Sequence, residues 1–256
     1  MVLATFAKFI ILLLIPLTIG CGLFQKGSPP SDTGQPGAAV RDPFKRGSNI
    51  TGKLYWAGRA DQTKMALTFD DGPEEDWTPK ILDILKEKNV KATFFLIGHQ
   101  AQKYPDMVKR IAAEGHVIGN HTYDHADLTK LRPEIVSQEI DKCSDVVEKI
   151  IGHRPRLVRP PFGFHNPAAD EVIYSKNDII VLWSVDPEDW KGLDAHTVKT
   201  RILGKARNGF ISLQHDGVNL HLTGSVEALP DIIDGLRAQG YTLVTIPELL
   251  EQQPYH

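Results

Sequence analysis

Five stretches, far apart in the chain, carry side chains that bind metals or move protons. They are Asp70-Asp71, His121-Thr122-Tyr123-Asp124-His125, Arg159, Asp186 with Asp189, and His215. Two imidazoles at i and i+4 would lie on one face of a helical turn, within reach of a single ion. A carboxylate from elsewhere would complete a two-His, one-carboxylate set with open positions. Three protein ligands plus water is the pattern of catalytic zinc, so the chemistry on offer is activation of water. Asp71 and Asp70 both qualify as the third ligand. Adjacent residues at a strand end point differently, so one of the pair can bind the ion while the other stays free as a base. Taken alone, Asp70-Asp71-Gly72-Pro73 also reads as a strand-ending turn, since Asp, Gly and Pro all favour turns.

The elements that must position these residues alternate. Met65–Phe69 reads as a strand and Thr78–Lys88 as a helix with apolar Ile81, Leu82, Ile84 and Leu85. Ala92–Ile97 is a strand, Ala101–Glu114 a helix stopped by Gly115, and Val117–Gly119 a short strand. Pro133–Ile151 is a long amphipathic helix with Pro133 in its first turn, and Leu157–Val158 a short strand. Pro167–Lys176, Ala195–Arg207 and Val226–Ala238 read as helices, and Ile179–Trp183, Phe210–Leu213 and Tyr241–Val244 as strands. Repeated βα units with near-continuous apolar strands predict a parallel sheet covered by helices, and the number of units suits a barrel. In such barrels the active site lies at the C-terminal ends of the strands. Asp70 and Asp71, His121 and His125, Arg159, Asp186 and Asp189, and His215 each follow one of these strands.

Thr68-Phe69-Asp70-Asp71-Gly72-Pro73, His121-Thr122-Tyr123-Asp124-His125, Arg159-Pro160-Pro161-Phe162-Gly163, Asp186-Pro187-Glu188-Asp189-Trp190 and Leu213-Gln214-His215 resemble, in order and spacing, the five motifs of the polysaccharide deacetylases. These form carbohydrate esterase family 4, also called the NodB-homology domain. The resemblance covers roughly Met65 to Glu251 and implies an α/β fold, a distorted (β/α) barrel. It implies that Asp71, His121 and His125 hold a divalent metal, most commonly Zn2+, with Co2+ or another divalent ion as alternatives. Asp70 would then be the general base and Arg159 its orienting partner. His215 would be the general acid, with its pKa tuned by Asp189. Trp190, Phe162, Leu213 and Pro161 would wall the pocket for the acetyl methyl group, and the Phe162 N–H would help to hold the oxyanion. The third motif often carries Tyr where this chain has Phe162, a change that a main-chain donor survives. Bound metal lowers the pKa of water from ~15.7 to ~7, and the leaving nitrogen needs a proton from a charged imidazole. The activity implied is removal of N-acetyl groups from N-acetylglucosamine units of a polysaccharide, peptidoglycan or a chitin-like glycan. The alternatives are O-deacetylation of xylan and a catalytically silent glycan-binding protein. The intact Asp70-Asp71 pair argues against the branch that acts on N-acetylmuramic residues.

The remaining sequence bears on place rather than chemistry. Lys8, an apolar run Phe9–Ile15 and Gly20-Cys21 resemble a bacterial lipoprotein leader, too short to span a bilayer. We read 1–21 as a signal peptide, with Cys21 as the lipidated membrane anchor; ordinary cleavage and an uncleaved anchor are the alternatives, and all three place the body outside the cytoplasm. Residues 22–50, rich in Pro, Gly and Ser, read as a tether, and 51–256 as the catalytic domain. A net charge of −3 without basic runs gives no footprint for nucleic acid. The chain is expected to be exported and monomeric. Cys143, the second of two cysteines, is expected as a buried small hydrophobe. His99, His116, His153, His165, His196 and His221 match no motif and are expected at the surface or behind the site. Tyr55 and Trp56 are expected to pack the N-terminal segment onto the body, with contact to the glycan as the alternative, and Trp77 is a candidate wall of the substrate groove.

Overall fold

Strand parity explains most of this architecture. A computed structural model of the chain describes residues 53–217 and 220–256. The leader, tether and their boundaries read from the sequence lie outside the described residues. Eight strands occur among them: β1 (Leu54–Tyr55), β2 (Lys64–Asp70), β3 (Thr93–Leu96), β4 (Val117–Asn120), β5 (Leu157–Val158), β6 (Ile179–Val181), β7 (Ile211–His215) and β8 (Thr242–Leu243). The helices between them are α1 (Thr78–Glu87), α2 (Gly98–Lys103), α3 (Pro105–Ala113), α4 (Pro133–Ile151), α5 (Pro167–Ser175), α6 (Ala195–Leu203), α7 (Thr223–Ala238) and α8 (Ile246–Leu250). The strands run β1-β6-β5-β4-β3-β2-β7, with β8 beside β2, and every pairing is parallel. Beyond β6 the chain turns onto β7: Val185 bridges Ser212, and the Leu213 N–H donates to the Val185 carbonyl at 2.8 Å. That contact curls the sheet into a distorted barrel, as the alternation of elements predicts.

Side chains of a strand alternate between faces. Met65, Leu67 and Phe69 of β2 face outward to α1, α3, α4, α6 and α7 and build the larger core with Ile81, Leu85, Val147, Ile202 and Leu236. Ala66 faces inward with Phe95, Leu157, Val181 and Ile211, over a plug formed by Ile246 and Leu249 of α8. The helices bury one stripe each. On α4 it is Val136, Ile140, Cys143 and Val147, and the helix ends at Gly152 in the left-handed conformation (φ 76°). Cys143 is fully buried, as expected, and its thiol is pushed up to about 12 by that burial.

Three differences from the sequence reading have local causes. The helix expected over Ala101–Glu114 is two helices, α2 and α3, with Tyr104 between them at φ −121°, ψ 58°. Pro105 disfavours the helical conformation of the residue before it and starts α3 in its own first turn. Helix α6 stops at Leu203, before Gly204. Strand β1 and helix α8, which carry no long periodic pattern, were not expected.

Candidate active site

Parallel register brings the distant residues to one level. Asp70 of β2 stands beside His215 of β7, and Asn120 of β4, just before His121, beside Val158 of β5, just before Arg159. Asp70 shares the inward parity of Ala66, and His215 that of Ile211. Arg159 is the largest fully buried side chain among the described residues. Its Nη1 donates to Asp70 Oδ1 at 2.7 Å and to Thr68 Oγ1 at 2.8 Å, its Nε to the Val181 carbonyl at 3.0 Å and its Nη2 to the Leu182 carbonyl at 3.1 Å. The guanidinium lies 4.0 Å over the Phe95 ring. Burial lowers its pKa and Asp70 opposes that fall. The pair fixes the Asp70 carboxyl so that Oδ2 faces the site, 3.8 Å from His121 Nε2.

His121 and His125 do not lie on a helical turn, as their spacing alone suggested. They flank a loop in which Thr122 (φ 67°) and His125 (φ 56°) are left-handed. The loop is pinned from outside: Glu139 of α4 accepts the N–H groups of Tyr123 and Asp124 at 3.1 and 2.9 Å. Asn120 accepts the Thr122 N–H at 2.7 Å. The two rings thereby converge on Asp71, whose Oδ1 lies 3.3 Å from His121 Nε2 and 3.2 Å from His125 Nε2. All three ligand atoms fall within 4.8 Å of one another.

These residues fit a metal ion. His121 Nδ1 donates to the Arg159 carbonyl at 2.6 Å, so its Nε2 presents a lone pair to Asp71. Asp71 Oδ1 is buried without a hydrogen-bond partner among the described residues. A lone pair facing a carboxylate oxygen across 3.3 Å is stabilised by a cation between them. Burial would raise the Asp71 pKa, yet the neighbouring imidazoles of His121 and His125, with His215 beyond them, hold its carboxyl well below the usual range.

His215 forms the opposite wall. Its Nδ1 is 2.7 Å from Asp189 Oδ1, while Asp189 Oδ2 accepts the His215 N–H and the Ser225 hydroxyl, each at 3.0 Å. Burial opposes a charged ring, but the hydrogen bond and charge of Asp189, with the charges of Asp71 and Asp70, raise the His215 pKa to about 9. Asp186 instead accepts the Glu188 N–H of the turn at 2.6 Å. Pro161 and Leu213 are buried at the rim, and Phe162 and Trp190 are exposed there. The Phe162 ring stands 4.6 Å from that of His125, on a backbone at φ 59°. Trp77 donates its indole N–H to the Leu220 carbonyl at 3.2 Å.

Several contributors carry no motif of their own. Glu139 is charged, yet sits in the buried stripe of α4, and that conflict is the signal by which it could have been found. Asp216 is fully buried behind Gly72, where a Cβ would fall 2.2 Å from its Oδ2, and Thr78 donates to it at 2.7 Å. Burial, with Asp71, Asp70 and Glu74 nearby, raises the Asp216 pKa to about 8. Among the histidines outside the motifs, His116 is buried, with its pKa lowered by that burial to about 4. His165 pairs with Asp170 at 3.0 Å.

A curled parallel barrel with a two-His, one-Asp site and a separate His-Asp pair at its strand ends defines a metal-dependent hydrolase. The polysaccharide deacetylase family model matches residues 57–177. A peptidoglycan-N-acetylglucosamine deacetylase of Bacillus cereus is 45% identical over 196 residues, 77% of this chain and 71% of that protein. A peptidoglycan-N-acetylmuramic acid deacetylase of Bacillus subtilis is 42% identical over 75% of this chain and 39% of its own length. A solved peptidoglycan N-acetylglucosamine deacetylase superposes with a TM-score of 0.79 at 43% identity, over 80% of this chain and 95% of that one. The chain belongs to the polysaccharide deacetylase family and is an N-deacetylase, a hydrolase.

Proposed function

We propose that this chain removes acetyl groups from N-acetylglucosamine units of peptidoglycan, with zinc in the Asp71, His121 and His125 site. The observation that carries this reading is the placement of Asp70 and His215 at paired register positions beside the three-ligand cluster. A divalent cation held there would supply Lewis acidity toward water and the acetyl carbonyl. Asp70 Oδ2, free of Arg159, accepts the proton of the attacking water as its oxygen bonds the carbonyl carbon. Arg159 keeps that carboxylate oriented. The turn's carbonyls at Pro160 and Pro161 take the N–H groups of Gly163 and Phe164, leaving the Phe162 N–H for the oxyanion. Nδ1 of His215 is held by Asp189, so Nε2 carries the proton to the leaving nitrogen as the C–N bond breaks. The products are acetate and a free amine.

The substrate follows from the named relatives and from the leader, whose apolar run and Gly20-Cys21 support export and lipid attachment at the outer face of a bacterial membrane. One chain carries every residue of the site, which supports action as a monomer. A CE4 family pseudoenzyme from Bacillus anthracis is also similar, with a TM-score of 0.73 at 27% identity. The complete set of ligand, base and acid positions favours turnover here. Acetate release from peptidoglycan, N-acetylglucosamine oligomers and acetylated xylan, each with zinc and with chelator, tests the reading. Chelator-sensitive release from peptidoglycan, with free amines on glucosamine by mass spectrometry, is expected. Amines on muramic acid, or release from xylan alone, would overturn the substrate.

The His215-Asp189 pair sets a pH dependence. A raised pKa keeps the ring protonated as pH climbs, so activity should fall only as pH passes about 9. Asp189→Asn removes the charge that favours imidazolium, and the alkaline limb of kcat against pH should then move down by roughly one unit or more. An unmoved limb would mean that another group sets it.

A further inference from the structure

Among the described residues, four large apolar side chains are exposed: Trp56 (39%), Phe162 (57%), Phe164 (52%) and Trp190 (46%). All four follow C-terminal strand ends, so they share the face that carries the site. Phe162 and Phe164 come after β5, and Trp190 after β6. Trp56 comes after β1, which runs parallel to β6 with Tyr55 opposite Val181. From the sequence, Tyr55 and Trp56 are expected to act together, with packing onto the body favoured over contact with the glycan. The structure divides them: Tyr55 is buried in the barrel interior, and Trp56 emerges at the rim.

The rings are placed in sequence. His125 meets Phe162 at 4.6 Å between centroids, and Phe162 meets Phe164 at 5.6 Å, tilted by 44°. The next residue, His165, lies 6.3 Å from Trp56. A row of aromatic surface therefore leaves the metal ligands on the Phe162 side. Exposed apolar surface concentrated at one place marks a binding surface. Phe162 also holds a left-handed backbone, which is unfavourable for a bulky residue and presents its ring outward.

We propose that Phe164 and Trp56 extend the site into a track for the glycan chain, binding sugar units next to the one being deacetylated. This rests on the glycan deacetylase reading above. A β-linked N-acetylhexosamine has ring faces of C–H groups and a rim of hydroxyls. The faces can cover aromatic rings while the rim stays in water, which suits a row of half-exposed rings with no buried polar group to satisfy. Phe162 connects the track to the reacting unit, which fixes the occupant as more of the same chain.

The test uses the full zinc-loaded protein and N-acetylglucosamine oligomers from dimer to hexamer. Trp56→Ala and Phe164→Ala should each raise KM for the hexamer about fivefold, and the double variant more than tenfold. The dimer KM should rise less than twofold, with kcat for the hexamer within twofold of the parent. Trp56→Phe should restore most of the loss, and matched thermal midpoints would confirm intact folding. An unchanged ratio of hexamer to dimer KM in the double variant would overturn the track. So would that same unchanged ratio accompanied by lost binding to phosphatidylglycerol vesicles, which would make the rings a lipid-facing patch. Calorimetric binding of the hexamer separates this proposal from the activity. If the parent turns over no oligomer, hexamer binding weakened at least tenfold in the double variant still supports the track, and unweakened binding rejects it.

Discussion

The variant His121→Ala should remain folded, lose stoichiometric zinc and release acetate roughly 10³–10⁴-fold more slowly than the parent. His121 is one of two imidazoles facing Asp71 Oδ1, and its orientation is set by the Arg159 carbonyl at 2.6 Å. Without it, two ligands remain, and Asp71 keeps a partner only on the His125 side at 3.2 Å. Several kcal/mol of charge stabilisation would be absent from the transition state, and each 1.36 kcal/mol is a factor of ten. Metal content by mass spectrometry, measured beside initial rates, checks the cause. A metal-free variant with parental activity would refute the assignment of this site.

Replacing Asp70 with Asn should have two separable effects. The turnover rate should fall by about 10²–10⁴, the range for loss of a positioned general base. Stability should also fall by about 3–5 kcal/mol, because a buried charge loses its partner. Arg159 is fully buried, and among the described residues Asp70, at 2.7 Å, is the carboxylate paired with it, so Asn leaves the guanidinium with hydrogen bonds but without that counter-charge. Denaturant unfolding measures the second effect and single-turnover rates the first. A fully stable, inactive variant would show that the ion pair contributes little to folding. A destabilised but active variant would move the base elsewhere. His215→Ala should lose activity by a similar factor without the stability cost of an orphaned arginine, and the two losses should not multiply in the double variant.

The legible part of this protein was legible for physical reasons. Strands buried on both faces must be continuously apolar, so β2 and β3 announce themselves, and the stripe of α4 marks its buried side. Metal ligands, base and acid are fixed in type by their chemistry, so Asp71, His121, His125, Asp70 and His215 could be picked out before any fold was known, and the motif resemblance gave them roles. Local rules failed where another local rule was stronger, as when Pro105 divided an otherwise periodic helix.

Tertiary structure decided the rest, because it depends on contacts between residues far apart in the chain. Only register could show that Asp70 stands beside His215, since parallel pairing is set by how two strands pack. Only α4 folding back against the site could show that Glu139 pins the histidine loop, which is not the helical turn that i, i+4 spacing suggested. Asp216 belongs to no motif, and its place behind Gly72 follows from two strand ends closing on each other. The direction Trp56 faces was likewise undecided in the sequence. A short strand beside β6 buried Tyr55 in the barrel interior and ended there, so the next residue, Trp56, emerges at the rim.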